Sequence, residues 1–217
     1  MNNRTQLFNL RKNYTQAGLG KEEAHESPVT QFRLWLDQAI QAGITEPNAM
    51  ILATTGLDGM ASARTVLLKE FDDRGFVFYT NYNSKKGMQL ASNPKAALIF
   101  LWADIERQIR IEGITEKIAP HESDEYFASR PRESQLGAWA SNQSATVNSR
   151  EDLNQQYARL TKEYEGKHIP RPPHWGGYRV MPNLIEFWQG RTGRMHDRIV
   201  YTLNGQTRHW EKSRLAP

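Results

Sequence analysis

The stretch that decides the fold reads Ala49-Met-Ile-Leu-Ala-Thr-Thr55, then Asp58-Gly59, then Ala63-Arg-Thr-Val-Leu-Leu-Lys69. Two runs rich in apolar and β-branched residues flank a turn dipeptide, which is the pattern of a β-hairpin. Working outward, Asp72-Asp73-Arg74-Gly75 supplies another turn and Phe76–Asn81 another strand. Ala96–Trp102 is almost continuously apolar, and residues 107–118 alternate as a half-buried strand does. Near the C-terminus, 178–182 and 184–190 read as two strands. Residues 198–203 and 206–215 then form a hairpin around Asn204-Gly205.

Helices are inserted between these runs. Ser27-Pro28 is an N-cap followed by a proline at the first helical position. Phe32, Trp35, Leu36, Ala39 and Ile40 follow at helical spacing, and Gly43 marks the stop. Asn83 or Ser84 caps a short helix that Pro94 closes. Residues 122–130 form another short helix, which Pro131 is expected to end, leaving Ser134 in a loop. Ser149 opens a longer helix to about Glu165. Short hairpin-linked strands with inserted helices predict a mainly β chain: an antiparallel barrel or sheet with peripheral helices, not a doubly wound parallel sheet. Residues 1–27 read as a flexible N-terminal arm and 28–217 as a single domain.

Composition narrows the function classes. The 217 residues include no cysteine, which excludes a disulfide framework, a thiolate metal site and a cysteine nucleophile. Mean hydropathy is −0.71. No apolar run approaches the roughly 20 residues of a membrane-spanning helix, and the start lacks a signal-peptide core, so a cytoplasmic protein is expected. The six histidines do not pair at ligand spacing, so no metal is expected. Net charge is +4, and from Gly166 onward nine Lys/Arg stand against three Asp/Glu. That asymmetry suits an anionic partner, either a phosphorylated small molecule or nucleic acid. No RNP-like aromatic pattern or reading helix supports nucleic acid. The common phosphate loops, GxGxxG and GxxxxGK[ST], are absent as well.

Four clusters carry candidate chemistry. Arg194, His196 and Arg198 would share one face of a regular strand about 6.5–7 Å apart, suiting a planar anionic ligand. The same pattern also fits an exposed strand with Asp197 in an ion pair. Arg64 and Lys69 bracket an apolar strand on opposite faces, so serving one site requires a bend or two subsites. Tyr79-Thr80 with Ser84-Lys85-Lys86 at a helix start makes a plausible phosphate seat, and equally an ordinary cap with solvated lysines. Tyr126 and Arg130 share a helical face, with Ser134 beyond.

The run Ile185–Arg198, IEFWQGRTGRMHDR, closely resembles the signature of the pyridoxine/pyridoxamine 5′-phosphate oxidases. ARTVLLK, FYTNYNSKKG, ERQIRIEG, YFASRPRESQLGAWAS, HWGGYRV and the terminal RLAP follow that family in order and spacing, from about Leu10 to Pro217. The resemblance implies an antiparallel split β-barrel that binds FMN at a homodimer interface. It implies oxidation of pyridoxamine 5′-phosphate and pyridoxine 5′-phosphate to pyridoxal 5′-phosphate, with O2 reduced to H2O2. By similarity Arg64, Lys69, Tyr79, Thr80, Lys85, Lys86, Gln108, Gln143, Ser144, Trp188 and Arg198 bind FMN, partly from the other subunit. Lys69, Tyr126, Arg130 and Ser134 match the holders of the substrate phosphate. Arg194 and His196 match the pair at the substrate ring, with His196 orienting substrate or assisting proton removal. Arg11 and Tyr14 match arm residues that close over the site. Lys85 and Met195 stand where the family usually has arginine and leucine. Two rivals remain: a related split-barrel oxidase for another aromatic substrate, as in phenazine pathways, and a non-catalytic FMN or pyridoxal phosphate binder.

Overall fold

The computed structural model describes Tyr14 and residues 18–217. These form nine strands and five α-helices: α1 (Pro28–Gln41), β1 (Ala49–Thr55), β2 (Ala61–Leu67), β3 (Glu70–Asp72), β4 (Gly75–Asn81), α2 (Lys85–Ser92), β5 (Lys95–Trp102), β6 (Arg107–Lys117), α3 (Pro120–Ser129), α4 (Arg132–Ala140), α5 (Arg150–Glu163), β7 (Trp175–Gln189), β8 (Asp197–Leu203) and β9 (Trp210–Arg214). Strand order is β2-β1-β5-β6-β7-β4-β3, with β8 pairing β7 and β9. The pairings β1–β2, β3–β4, β4–β7, β7–β8 and β8–β9 are antiparallel, as the hairpin pattern predicts.

The chain divides into two compact units. One holds Asn48–Leu98 and Glu112–Pro182. Its core includes fully buried Phe76 and Phe78, with Phe78 stacked on Tyr178 at 5.9 Å. A second cluster joins Phe127, Leu136, Leu160, Ile169 and Trp175 under α3, α4 and α5. Burying each such side chain stabilises by roughly 1.5–3 kcal/mol. The other unit holds the chain up to Pro47, Ile99–Ile111 and Asn183–Pro217. In it Phe32 meets Phe100 edge-on at 5.1 Å, and Phe187 meets both Trp35 and Tyr201. Residues 18–27 are held by named contacts: Leu19 N–H donates to Asp197 (3.0 Å), Lys212 Nζ donates to the Ala24 carbonyl (2.8 Å), and the Tyr201 hydroxyl donates to the His25 carbonyl.

Local caps match the sequence. Ser27, Ser84 and Ser149 each accept a backbone N–H from their helices, those of Thr30, Gly87 and Asp152. In α1 Phe32, Trp35 and Ala39 are buried as expected, but Ile40 is 57% exposed, and Val29 and Gln31 complete the stripe.

Three expectations need correction. Pro131 does end α3, because a residue before proline is driven to extended backbone and Arg130 sits at φ −73°, ψ 148°. The Pro131 carbonyl then accepts the N–H groups of Ser134 and Gln135, so α4 begins at once and Ser134 lies in its first turn rather than in a loop. The two strands expected across 178–190 are a single strand, β7. Pro182 falls between the register with β4, which ends at Val180, and that with β8, which starts at Leu184. Finally, Arg194 and His196 are not on a strand. Thr192–Arg194 is a 3-10 turn with Gly193 at φ 64° and Arg194 at φ 63°, and β8 starts only at Asp197.

Candidate active site

Within the first unit a cavity of about 470 Å³ opens between β2, β4 and the start of α4. Arg64 reaches it from β2. Lys69 reaches it from the bend after β2, which ends at Leu67, so the two cations expected on opposite strand faces line the same space. Tyr79 and Thr80 come from β4, Lys86 from the first turn of α2, and Gln143 from the segment after α4. Tyr126, Arg130 and Ser134 close the far side.

Neutral oxygens hold these cations. Lys86 Nζ donates to Gln143 Oε1 at 2.9 Å and to Thr80 Oγ1 at 3.3 Å. Arg64 donates to Thr54 Oγ1 (2.6 Å), the Leu52 carbonyl (3.3 Å) and Gln89 Oε1 (3.4 Å). The guanidinium of Arg130 lies 4.6 Å over the ring of Trp175, and its NH1 is buried with no hydrogen-bond partner. Burial lowers the pKa of Arg64, Arg130 and Lys86, with the Arg64 charge lowering Lys86 further. A site that desolvates positive charge without a carboxylate to offset it is destabilised until an anion arrives.

An aromatic wall completes the cavity. Tyr79 stacks on Tyr126 at 3.9 Å and on Trp175 at 5.4 Å. Burial, then the carboxylates of Glu70 and Glu122, push the Tyr79 phenol up to about 12. The α2 start is set by Gly87. A Cβ there would collide with the Tyr82 backbone carbonyl, so only glycine lets the helix begin this close to β4.

The second unit carries the signature residues. Trp188, on β7, lies 4.6 Å from the His196 ring, and Tyr14 meets both rings edge-on at 5.7 and 5.6 Å. His196 Nδ1 accepts the N–H of Arg191 at 3.1 Å, a bond made by the turn through Gly193. Arg198 pairs with buried Glu186 at 2.8 Å, and Arg110 pairs with the same carboxylate at 3.0 Å. Asp197 accepts from Arg214 and pairs with Arg191 at 3.5 Å. Arg194 is exposed and Gln108 half-buried.

Of the residues expected at the site, Lys85 is exposed at the first position of α2 and does not line this cavity, and Ser144 is an exposed turn residue at φ 74°. Arg11 lies outside the described residues. Sequence reasoning missed Trp175, whose Trp-Gly-Gly context was a usable signal, and missed Thr54 and Gln89, which carried none.

Two family models match in tandem: "Pyridoxamine 5'-phosphate oxidase" over residues 36–165 and "Pyridoxine 5'-phosphate oxidase C-terminal dimerisation region" over 175–217. The chain belongs to the pyridoxine/pyridoxamine 5′-phosphate oxidase family. The pyridoxine/pyridoxamine 5′-phosphate oxidase of Gloeothece citriformis is 57% identical over 212 residues, 97% of this chain and 98% of that one. That of Thermosynechococcus vestitus is 56% identical, over 98% of this chain and all of the other. Among solved structures, PhzG from Burkholderia lata, in complex with tetrahydrophenazine-1-carboxylic acid, is 31% identical with a TM-score of 0.88, over 95% of this chain and 100% of that one. The fold is thus the mainly β, antiparallel split barrel expected for this oxidase family, with peripheral helices. Among the described residues no helix is long and apolar enough to cross a membrane, and no cluster of His, Asp and Glu could hold a metal.

Proposed function

We propose that this chain is an FMN-dependent oxidase that converts pyridoxine 5′-phosphate to pyridoxal 5′-phosphate, and pyridoxamine 5′-phosphate with water to pyridoxal 5′-phosphate and ammonia, reducing O2 to H2O2 in each case. The observation that carries this reading is the cavity of about 470 Å³ whose cations Arg64, Lys69, Lys86 and Arg130 have no carboxylate partner among the described residues. Phosphate monoesters carry about −1.5 to −2 charges near neutrality if they ionise as phosphoamino acids do, and two of them need such a set. The buried, unpartnered Arg130 NH1 and the stacked Tyr79, Tyr126 and Trp175 suit a phosphorylated aromatic ligand.

When bound, FMN supplies the two-electron acceptor for the hydride that leaves the substrate's exocyclic carbon, and through it O2 becomes H2O2. The protein's part is placement. Arg64, Thr80, Lys86 and Gln143 take the cofactor phosphate, with Tyr79, Lys85 and Ser144 as further cofactor contacts, and Gln108, Trp188 and Arg198 among contacts that come partly from the other subunit. Lys69, Tyr126, Arg130 and Ser134 hold the substrate phosphate and so set the ring at reacting distance. Lys69, which lines the same cavity with its Nζ 6.0 Å from the Tyr126 ring centroid, also serves the cofactor. Arg194 covers the substrate ring, and Tyr14, edge-on to His196, is the arm residue that serves it. His196 has Nδ1 committed to the Arg191 N–H, so Nε2 is the atom left for substrate. In the neutral ring Nε2 then carries the proton, and it donates a hydrogen bond rather than removing a proton.

The dimerisation-region match supports a homodimer, and we place FMN at its interface, in a cytoplasmic enzyme. A phenazine-type substrate is the second reading, favoured by the likeness to PhzG. The deciding experiment mixes protein, FMN and pyridoxamine 5′-phosphate without oxygen. The flavin band should bleach and return with peroxide on admitting air. A bound flavin that never bleaches overturns the substrate assignment, and absence of flavin binding overturns the whole reading.

A further inference from the structure

Several arginines of this chain rest on carboxylates: Arg74 on Asp72, Arg171 on Asp124, Arg179 on Glu122, Arg198 on Glu186. Arg64 is oriented differently. Its NH1 donates to Thr54 Oγ1 at 2.6 Å and its NH2 to Gln89 Oε1 at 3.4 Å. Thr54, 2% exposed on β1, donates its own O–H to Gln89 Oε1 at 2.8 Å. The bonds all run one way, from guanidinium to hydroxyl to amide oxygen, and every acceptor is neutral. Gln89 sits one turn after Lys86 on α2, so the same short helix carries both a cavity cation and the end of this relay.

We propose that Thr54 and Gln89 are positioning residues for cofactor binding. They form a neutral clamp that fixes the Arg64 guanidinium at the cavity and leaves its charge for a phosphate group. A glutamate at 89 would hold the same geometry but neutralise the arginine, so that an incoming dianion would have to displace a carboxylate from it. Alanine or valine at 54 would leave the guanidinium free to turn, and each fixed rotamer lost is a cost that binding must then supply. The role toward FMN rests on the functional reading above.

The test uses the full-length protein stripped of flavin, titrated with FMN by fluorescence quenching, with thermal unfolding of the flavin-free form measured in parallel. Gln89→Glu should lower FMN affinity at least tenfold while the melting temperature of the flavin-free protein stays equal or rises. Thr54→Val should also weaken FMN, and Thr54→Ser should restore it. A purely structural role predicts the opposite coupling, with affinity following stability. Wild-type FMN affinity in Gln89→Glu, or in Thr54→Val, overturns the clamp. Should the wild-type protein not bind FMN, the functional reading fails separately. Inorganic phosphate then serves as probe, and equal phosphate affinity of wild type and Gln89→Glu overturns the clamp on its own.

Discussion

The Arg130 guanidinium lies 4.6 Å over the ring of Trp175, with one of its nitrogens buried and unpartnered. The stack fixes the plane of the fork, and the open nitrogen marks where an acceptor belongs. Replacing Arg130 by methionine should therefore have two opposite effects. The Michaelis constant for pyridoxamine 5′-phosphate should rise roughly 10–150-fold, the equivalent of about 1.5–3 kcal/mol for a charge-assisted contact. The ligand-free protein should melt at a higher temperature, because a buried unsatisfied charge is gone. A lower melting temperature with an unchanged Michaelis constant would refute both roles.

Lys86 gives the flavin-free protein a distinctive alkaline behaviour. Burial, and then the Arg64 charge, lower its pKa from the ordinary 10.5. Between the lowered value and 10.5 the unfolded chain holds a proton that the folded chain has released, so stability rises with pH across that window. Thermal unfolding of the flavin-free protein on the alkaline side, as pH approaches 10.5, should show this rise, and Lys86→Met should abolish it. Saturating FMN should flatten the slope in the wild type, since a phosphate restores the charged lysine. The same slope in Lys86→Met would assign it to another group.

Gly87 is a steric requirement of the lysine-bearing helix. A methyl group at this position meets the Tyr82 backbone carbonyl, which cannot yield as a side chain can. Gly87→Ala should cost about 1–3 kcal/mol, as overpacking does, and should weaken FMN by displacing Lys86. Gly137→Ala, inside α4 where a Cβ meets nothing within 4 Å, is the matched control and should gain about 0.5–1 kcal/mol from helix propensity. Equal denaturant midpoints for the two variants would remove the steric argument.

Asp197 ties three segments of its unit together: the Leu19 N–H, Arg214 and Arg191 all converge on it. Burial pushes its carboxyl up, but the Leu19 N–H, Arg214 and Arg191 together hold it below the ordinary 3.8. A carboxylate with a lowered folded pKa stabilises above its unfolded value, and that stabilisation is lost as pH falls through the lowered one. Asp197→Asn should melt lower than wild type at neutral pH, and the difference should close in acid. A difference that persists unchanged in acid would deny the carboxylate this role.

The parts of the fold legible in the sequence were those set by neighbours in the chain. The serine caps at 27, 84 and 149 and the hairpin of β1 and β2 depend on a few consecutive residues, and all four stand where the pattern puts them. Pro131 and Pro182 misled for one reason: a proline marks a local break but does not specify the element beyond it. Here the chain restarts a helix after one and continues a strand through the other. The alternation of Arg194, His196 and Arg198 suggested a period of two, while positive φ at a non-glycine residue such as Arg194 has no sequence signal. The cavity cations were visible as types and, through the family resemblance, as a set. The neutral oxygens of Thr54 and Gln89 that orient Arg64 were not, because a threonine and a glutamine 35 positions apart look like any others.

The unneutralised charge in the cavity also bears on how long the protein lasts in a cell. A ligand that binds only the folded chain lowers the population of open forms in proportion to its occupancy. Chains made while flavin is scarce retain the mutual repulsion of Arg64 and Lys86, open more often and meet proteases in that state. Steady-state abundance of this protein is then expected to follow flavin supply at a constant rate of synthesis, which comparing its level in flavin-starved and flavin-replete cells checks.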